Sequence, residues 1–191
     1  IRHAEKVRKV ANPAQLPRSL ELNAIGEVWS VKYNFIEGTR KAHLFAEEGE
    51  MVLYGPSDRS EAFRKLLVEW LKDMGKVYLP GMFADVVDEC GFSPDVCKRI
   101  QVRWQKSRWG SYSSKGTFSL NAKLLFFPPQ IVRYLLVHEL CHTVHPNHSR
   151  DFWDLVERYE PGAKALRAQL NSLSHLPDWV TALRVKVPAG R

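Results

Sequence analysis

The spacing of apolar and polar positions changes period several times along the chain, and each change marks an element. From Ile25, Trp29, Val31, Tyr33 and Phe35 alternate with Val28, Ser30, Lys32 and Asn34, and shorter apolar runs follow at Ala42–Phe45 and Met51–Tyr54. Separated by Glu37-Gly38 and Glu48-Gly49, these runs predict a small antiparallel meander. Near Ser57 the period becomes helical: Asp58 can cap with Glu61, and Ala62, Phe63, Leu66, Leu67, Trp70, Leu71 and Met74 share a face until Gly75. A second helix is predicted from Pro80 to Cys90, opened by proline and stopped by Gly91. Alternation returns at Ile100, Val102 and Trp104, and again at Phe118, Leu120, Ala122 and Leu124, which predicts a hairpin. Its connection, Lys106 to Gly116, is longer than a hairpin needs, and long connections in compact domains are often functional.

After Pro128-Pro129 the periodicity fills out. Ile131, Val132, Leu135, Leu136, Val137, Leu140, Cys141 and Val144 occupy nearly every face, as expected of a helix buried on all sides. Into this run fall His138, Glu139 and His142. Buried ionisable groups without partners cost several kcal/mol, roughly, so they are normally paired or bound to metal. Histidines at i and i+4 share a helix face, where both rings reach one small cation and the carboxylate at i+1 can touch a water on it, the HExxH pattern of zinc hydrolases. Two satisfied core histidines and a chance glutamate would match the same five residues.

A catalytic zinc takes three protein ligands. His145 shares the histidine face but lies roughly 10 Å along the axis from His138, at a rise of about 1.5 Å per residue. Pro146 cannot continue the helix, which is predicted to end at His145, and Asn147 tolerates the turn that would bring His148 back under the ion. His148 is therefore the favoured third ligand, with Glu157 or Glu160 from the next helix as runner-up. That helix is predicted from a Ser149 cap through Phe152, Trp153, Val156 and Tyr159 to Pro161-Gly162, and a further one carries Leu166, Leu170 and Leu173.

Composition adds bounds. A chain of 191 residues, 45% hydrophobic, suits one domain with short extensions: an N-terminal arm over residues 1–20, a domain over 21–174 and a tail over 175–191. No apolar run is long enough to span a bilayer, and the first residues do not form a signal peptide. Three cysteines, Cys90, Cys97 and Cys141, are too few and too irregular for a disulfide framework, so a cytoplasmic setting is expected. The formal charge of +7 favours anionic partners only modestly.

The run Arg108-Trp109-Gly110-Ser111-Tyr112-Ser113-Ser114-Lys115-Gly116, with Leu120-Asn121, Pro128-Pro129, Tyr134, His138-Glu139-Leu140-Cys141-His142, Asn147-His148-Ser149 and Phe152-Trp153, closely resembles the YgjP-like (DUF45) metal-dependent hydrolases, relatives of the SprT-like zinc metallopeptidases. The resemblance spans residues 25 to 160 and is strongest over 99 to 153. It implies a zincin-like α+β domain, a small antiparallel sheet packed on the HExxH helix with flanking helices. It also implies one zinc ion on His138, His142 and His148, with Glu139 as catalytic base. Tyr112 departs from the cysteine usual there, and Cys141 stands where alanine is common; a packing role for Cys141 is expected rather than a fourth ligand.

The reaction expected is zinc-assisted hydrolysis of a peptide or protein substrate. Arg108, Tyr112 or Asn121 would bind substrate or its developing oxyanion, or else hold the loop. If the strand over 118–124 has a free edge, an extended peptide can pair with it. The metzincins are excluded, because Met51, Met74 and Met82 all precede the histidines and no methionine turn follows. A nucleotide phosphohydrolase is the alternative, motivated by Arg99, Arg103, Lys106, Arg108, Lys115 and Lys123 around the hairpin, although no phosphate-cradling glycine loop accompanies them. A zinc domain recruited to nucleic acid by its charge is a third reading, and it requires strongly salt-dependent binding.

Overall fold

The computed structural model describes residues 16–57, 60–172 and 175–182. The helix cap at Asp58, Leu173, most of the N-terminal arm and the end of the C-terminal tail lie outside the described residues. Mixed α and β structure forms two compact units: residues 16–21 with 28–69, and residues 22–27 with the chain from 70 onward. No helix among the described residues is long and apolar enough to cross a membrane.

The first unit is built on a four-stranded sheet of β1 (Ser19–Leu22), β2 (Glu27–Phe35), β3 (His43–Glu47) and β4 (Glu50–Gly55), in the order β1-β2-β4-β3. β3 and β4 form the hairpin that Glu48-Gly49 promises, with both turn residues at positive φ. β4 then runs parallel to β2, pairing Val31 with Met51 and Tyr33 with Leu53, so the expected antiparallel meander is in fact a mixed sheet. Alternation reports which face a residue takes and is silent on strand direction, which the connection decides. Val31, Met51 and Leu53 are buried with Phe63 and Leu67 of the helix that follows, and Tyr33 meets the edge of Phe63 at 5.6 Å between centroids.

That helix, α1 (Ser60–Glu89), is one element of 30 residues where two were expected. Gly75 and Pro80 read as a stop and a start, yet Leu71, Gly75, Leu79, Phe83, Val86 and Val87 continue one buried face across both. Gly75 sits where a Cβ would come within 2.8 Å of Val102 Cγ1, so it is there for close packing rather than to terminate the helix.

The second unit has a three-stranded sheet of β5 (Arg99–Arg103), β6 (Gly110–Ser113) and β7 (Thr117–Asn121), in the order β5-β7-β6. β5 and β7 are parallel, so the hairpin expected between them does not form. The hairpin is β6–β7, turned at Gly116 with φ +78°, and the long connection contains the missing strand. β7 is therefore central and has no free edge; β6 is at the rim. The strand also stops at Asn121, because the Asn121 side chain accepts from the Lys123 N–H and opens a short 3-10 turn, Ala122–Phe126, all of it buried.

α2 (Pro129–Cys141) is buried on most sides, as its sequence requires, and packs against β6, α3 (Arg150–Tyr159) and α4 (Ala163–Ser172). It ends at Cys141, four residues before the expected stop at His145. Thr143 takes the Leu140 carbonyl with both its N–H (3.0 Å) and its hydroxyl (2.7 Å), which unwinds the helix ahead of Pro146. Ser149 Oγ accepts the Phe152 N–H at 3.3 Å and caps α3 as expected. A short α5 (Asp178–Ala182) follows α4 in the described chain.

Candidate metal centre and active-site cleft

Three imidazoles converge where α2 ends and α3 begins. His138 lies in the last turn of α2, His142 is its C-cap, and His148 directly precedes the Ser149 cap of α3. One nitrogen from each lies within 4.8 Å of the others, and His138 Nε2 is 3.1 Å from His148 Nε2. The His142 Nδ1–H donates to the His145 carbonyl at 3.2 Å, which fixes the ring and frees Nε2. Aromatic walls hold the other faces: Phe152 stacks on His142 at 4.5 Å and Trp153 on His148 at 5.6 Å between centroids.

Burial favours the neutral form of two of these rings. Burial, reinforced by His142, His148 and Arg167, lowers the His138 pKa to about 3, and burial also depresses His142. A neutral imidazole is the metal-binding form. The donor set fits a divalent metal ion: three imidazole nitrogens lie within 4.8 Å of one another, with His138 Nε2 and His148 Nε2 3.1 Å apart. Among the described residues His138 Nδ1 has no hydrogen-bond partner, so the buried ring is anchored by packing and by whatever its Nε2 binds.

Glu139, next to His138 near the end of α2, is only 5% exposed and borders the same space as His138 and His148. Burial pushes its carboxyl up to about 7, against a hydrogen bond from the Tyr112 backbone N–H that favours the charged form. The carboxyl lies against β6 at Gly110, where a Cβ would come within 2.6 Å of Glu139 Oε1, so only glycine leaves the carboxylate its place.

A cleft opens over these groups in two lobes. The larger, about 400 Å³, runs past Gly110, Ser111, Tyr112 and Ser114 of the β6 hairpin to Pro146. The smaller, about 220 Å³, is lined by Trp109, Tyr134, Arg167 and Asn171. Arg108, Gly110, His138, Glu139 and His148 border both.

The remaining candidates separate clearly. Arg108 lines the cleft, as does Tyr112, whose ring is braced on Phe118 at 4.9 Å. Asn121 is 1% exposed beneath the loop and donates to the carbonyls of Gln105 (3.1 Å) and Arg108 (2.7 Å), the loop-holding role rather than a place in the cleft lining. Glu157 accepts from the Gly162 N–H at 2.7 Å, and Glu160 pairs with Arg133 at 2.9 Å; neither joins the histidines. His145 offers the group only its carbonyl. Cys141 is fully buried with its thiol pushed up to about 12, chiefly by burial, which suits packing and not metal ligation. Arg167 and the contact of Gly110 with Glu139 escaped the sequence reading. A signal for the first was present: Arg167 and Asn171 are i and i+4 on α4, one face beside the apolar Leu170.

Three imidazoles beside a buried carboxyl in an open cleft make a centre of the metallohydrolase kind. The chain belongs to the YgjP-like family, matching its metallopeptidase domain over residues 2–173. Among solved structures it is similar to the metallopeptidase zymogen abylysin of Pyrococcus abyssi, with 26% identity over 49% of this chain and 91% of that one and a TM-score of 0.43. It is also similar to the zymogen jannalysin of Methanocaldococcus jannaschii, with 20% identity over 51% and 96% and a TM-score of 0.42. Comparison with curated proteins returned no match.

Proposed function

We propose that this chain is a zinc-dependent metallopeptidase that cleaves peptide bonds, with His138, His142 and His148 as metal ligands and Glu139 as general base. The observation that carries the reading is the convergence of three imidazoles within 4.8 Å beside a buried carboxyl whose pKa is about 7. Zinc bound there supplies Lewis acidity to water and to the scissile carbonyl. Glu139 takes the proton of the attacking water and returns it to the leaving nitrogen, and a base with a pKa near the working pH performs both transfers well. The rim strand β6 presents its polar residues along the larger lobe, and Arg108 and Tyr112 stand where they can steady the substrate carbonyl.

The nucleotide reading lacks comparable support. Of the six basic residues that motivated it, only Arg108 borders the cleft; Lys123 is buried, with Nζ donating to the Gln105 carbonyl at 2.7 Å.

Metal analysis of the wild type beside His148→Ala and Glu157→Ala tests the ligand set: stoichiometric zinc is expected in the wild type and Glu157→Ala and lost in His148→Ala. A parallel screen on unfolded polypeptides and nucleoside triphosphates, with Glu139→Gln as control, tests the reaction. Triphosphate cleavage in place of peptide cleavage, or undiminished turnover by Glu139→Gln, rejects the proposal.

A further inference from the structure

The two lobes of the cleft differ in chemistry. Uncharged Ser111, Tyr112 and Ser114 border the larger one on the β6 side. The smaller one is lined by two arginines, Arg108 from the β6 side, which borders both lobes, and Arg167 from α4, with Asn171 one helical turn beyond Arg167. Apart from Glu139, no acidic residue lines it. Arg167 is also held in place, its guanidinium lying over the Trp153 ring at 4.9 Å, the same ring that stacks on His148. A cation fixed in this way loses less side-chain freedom on binding than a solvated one, and a planar guanidinium matches a carboxylate in two-point geometry. Asn171 adds a neutral donor on the same face. About 220 Å³ accommodates one side chain or a chain terminus and little more.

We infer that the Arg108–Arg167 lobe is a carboxylate-recognising subsite, which selects peptides carrying an acidic side chain or a free α-carboxylate on one side of the scissile bond. The inference rests on the peptidase reading and gives it a substrate class. Both sources present the same group, and they differ in the mode of cleavage: a side-chain carboxylate belongs to internal cleavage, an α-carboxylate to removal of residues from the C-terminus.

The test is binding as well as turnover. Short peptides are titrated calorimetrically into zinc-loaded Glu139→Gln protein, in sets that differ by Glu against Gln at each position in turn and by a C-terminal acid against its amide. Selectivity of about tenfold for the carboxylate form is expected in one set, the worth of one charge-assisted hydrogen bond. It should weaken with added salt. In Glu139→Gln/Arg167→Gln the ratio should fall toward one, and in Glu139→Gln/Arg167→Glu it should reverse toward peptides with lysine at that position. Selectivity in the Glu/Gln set identifies the side chain as the source, and selectivity in the acid/amide set identifies the terminus. Equal binding of both forms in every set, or a preference that survives Arg167→Gln, overturns the subsite. Selective binding without peptide cleavage by the wild type would sink the peptidase reading and leave the carboxylate site standing, whereas cleavage without selectivity would do the reverse.

Discussion

Glycine at position 110 sets the place of the Glu139 carboxyl. Its missing side chain is the space in which the carboxyl sits, and an alanine methyl would lie 2.6 Å from Oε1 and 2.8 Å from Cγ. Displacement of a catalytic group by about 1 Å can cost on the order of 100-fold. Gly110→Ala is therefore expected to lower kcat/KM by about that factor while zinc content, measured by metal analysis, stays at the wild-type value. Glu139 also leaves a mark on stability. Its pKa is about 7 in the fold against an ordinary value of 4.5, so the native metal-free protein holds a proton that the unfolded chain has released. Its contribution is fully present below pH 4.5 and is lost as pH rises through 7, by a few kcal/mol at most, roughly. His138 acts in the opposite sense: its pKa of about 3 means that stability is lost as pH falls from 6.5 toward 3. Denaturant melts of the metal-free Glu139→Gln variant against wild type isolate the first effect, and the variant's advantage should grow between pH 4.5 and 7 and then level off. The histidine cluster is readable in the sequence because His138, His142 and His148 are close along the chain and local helix geometry relates them. The contact of Gly110 with Glu139 joins residues far apart in the chain, and no local pattern encodes such a distance; the Arg167/Asn171 face is visible in the sequence, but not what it faces.

Among the elements, α1 shows how packing overrides local signals. Gly and Pro cost a helix interior about 1 and 3 kcal/mol relative to alanine, which is why two helices were expected. The buried face from Leu71 to Val87 runs through both residues and outweighs those costs. Gly75→Ala consequently has two opposed effects, a gain in helix propensity and a methyl driven to 2.8 Å from Val102 Cγ1 with the Ala122 backbone behind it. Overpacking costs about 1–3 kcal/mol, more than the propensity gain, so a thermal melt should show a lower Tm for this variant. A rise in Tm would mean that β5 yields easily at Val102. The sheets were legible as strands and not as topology. Alternation marks the β5 and β7 segments, whereas β6 (Gly110–Ser113) is four residues long and too polar to announce itself within the long connection. With β6 unseen, β5 and β7 were joined as neighbours in a hairpin, although they pair in parallel. The end of α2 was placed by Pro146, when the chain had already left the helix through the hydroxyl of Thr143.

For the whole molecule, metal binding and folding are expected to be one equilibrium. A ligand bound only by the native state stabilises it by about 2.7 kcal/mol at a hundredfold excess over its Kd. In a chain of this size a gain of that order raises Tm by several degrees, roughly. Adding zinc to the metal-free protein should therefore lift Tm, chelation should reverse it, and His148→Ala should abolish the response; an unchanged Tm in the wild type would argue against a structural load on the site. The formal charge of +7 works against any divalent cation at long range. Locally the early stop of α2 has the opposite sign. Because the helix finishes at Cys141, its aligned peptide dipoles terminate at the second imidazole instead of a turn farther on, which puts the half-negative end of the macrodipole beside the histidine cluster. Such a pole is worth about 0.3–1 kcal/mol to a nearby cation, so the four residues by which this helix falls short make its end a local sink for positive charge on a positively charged protein.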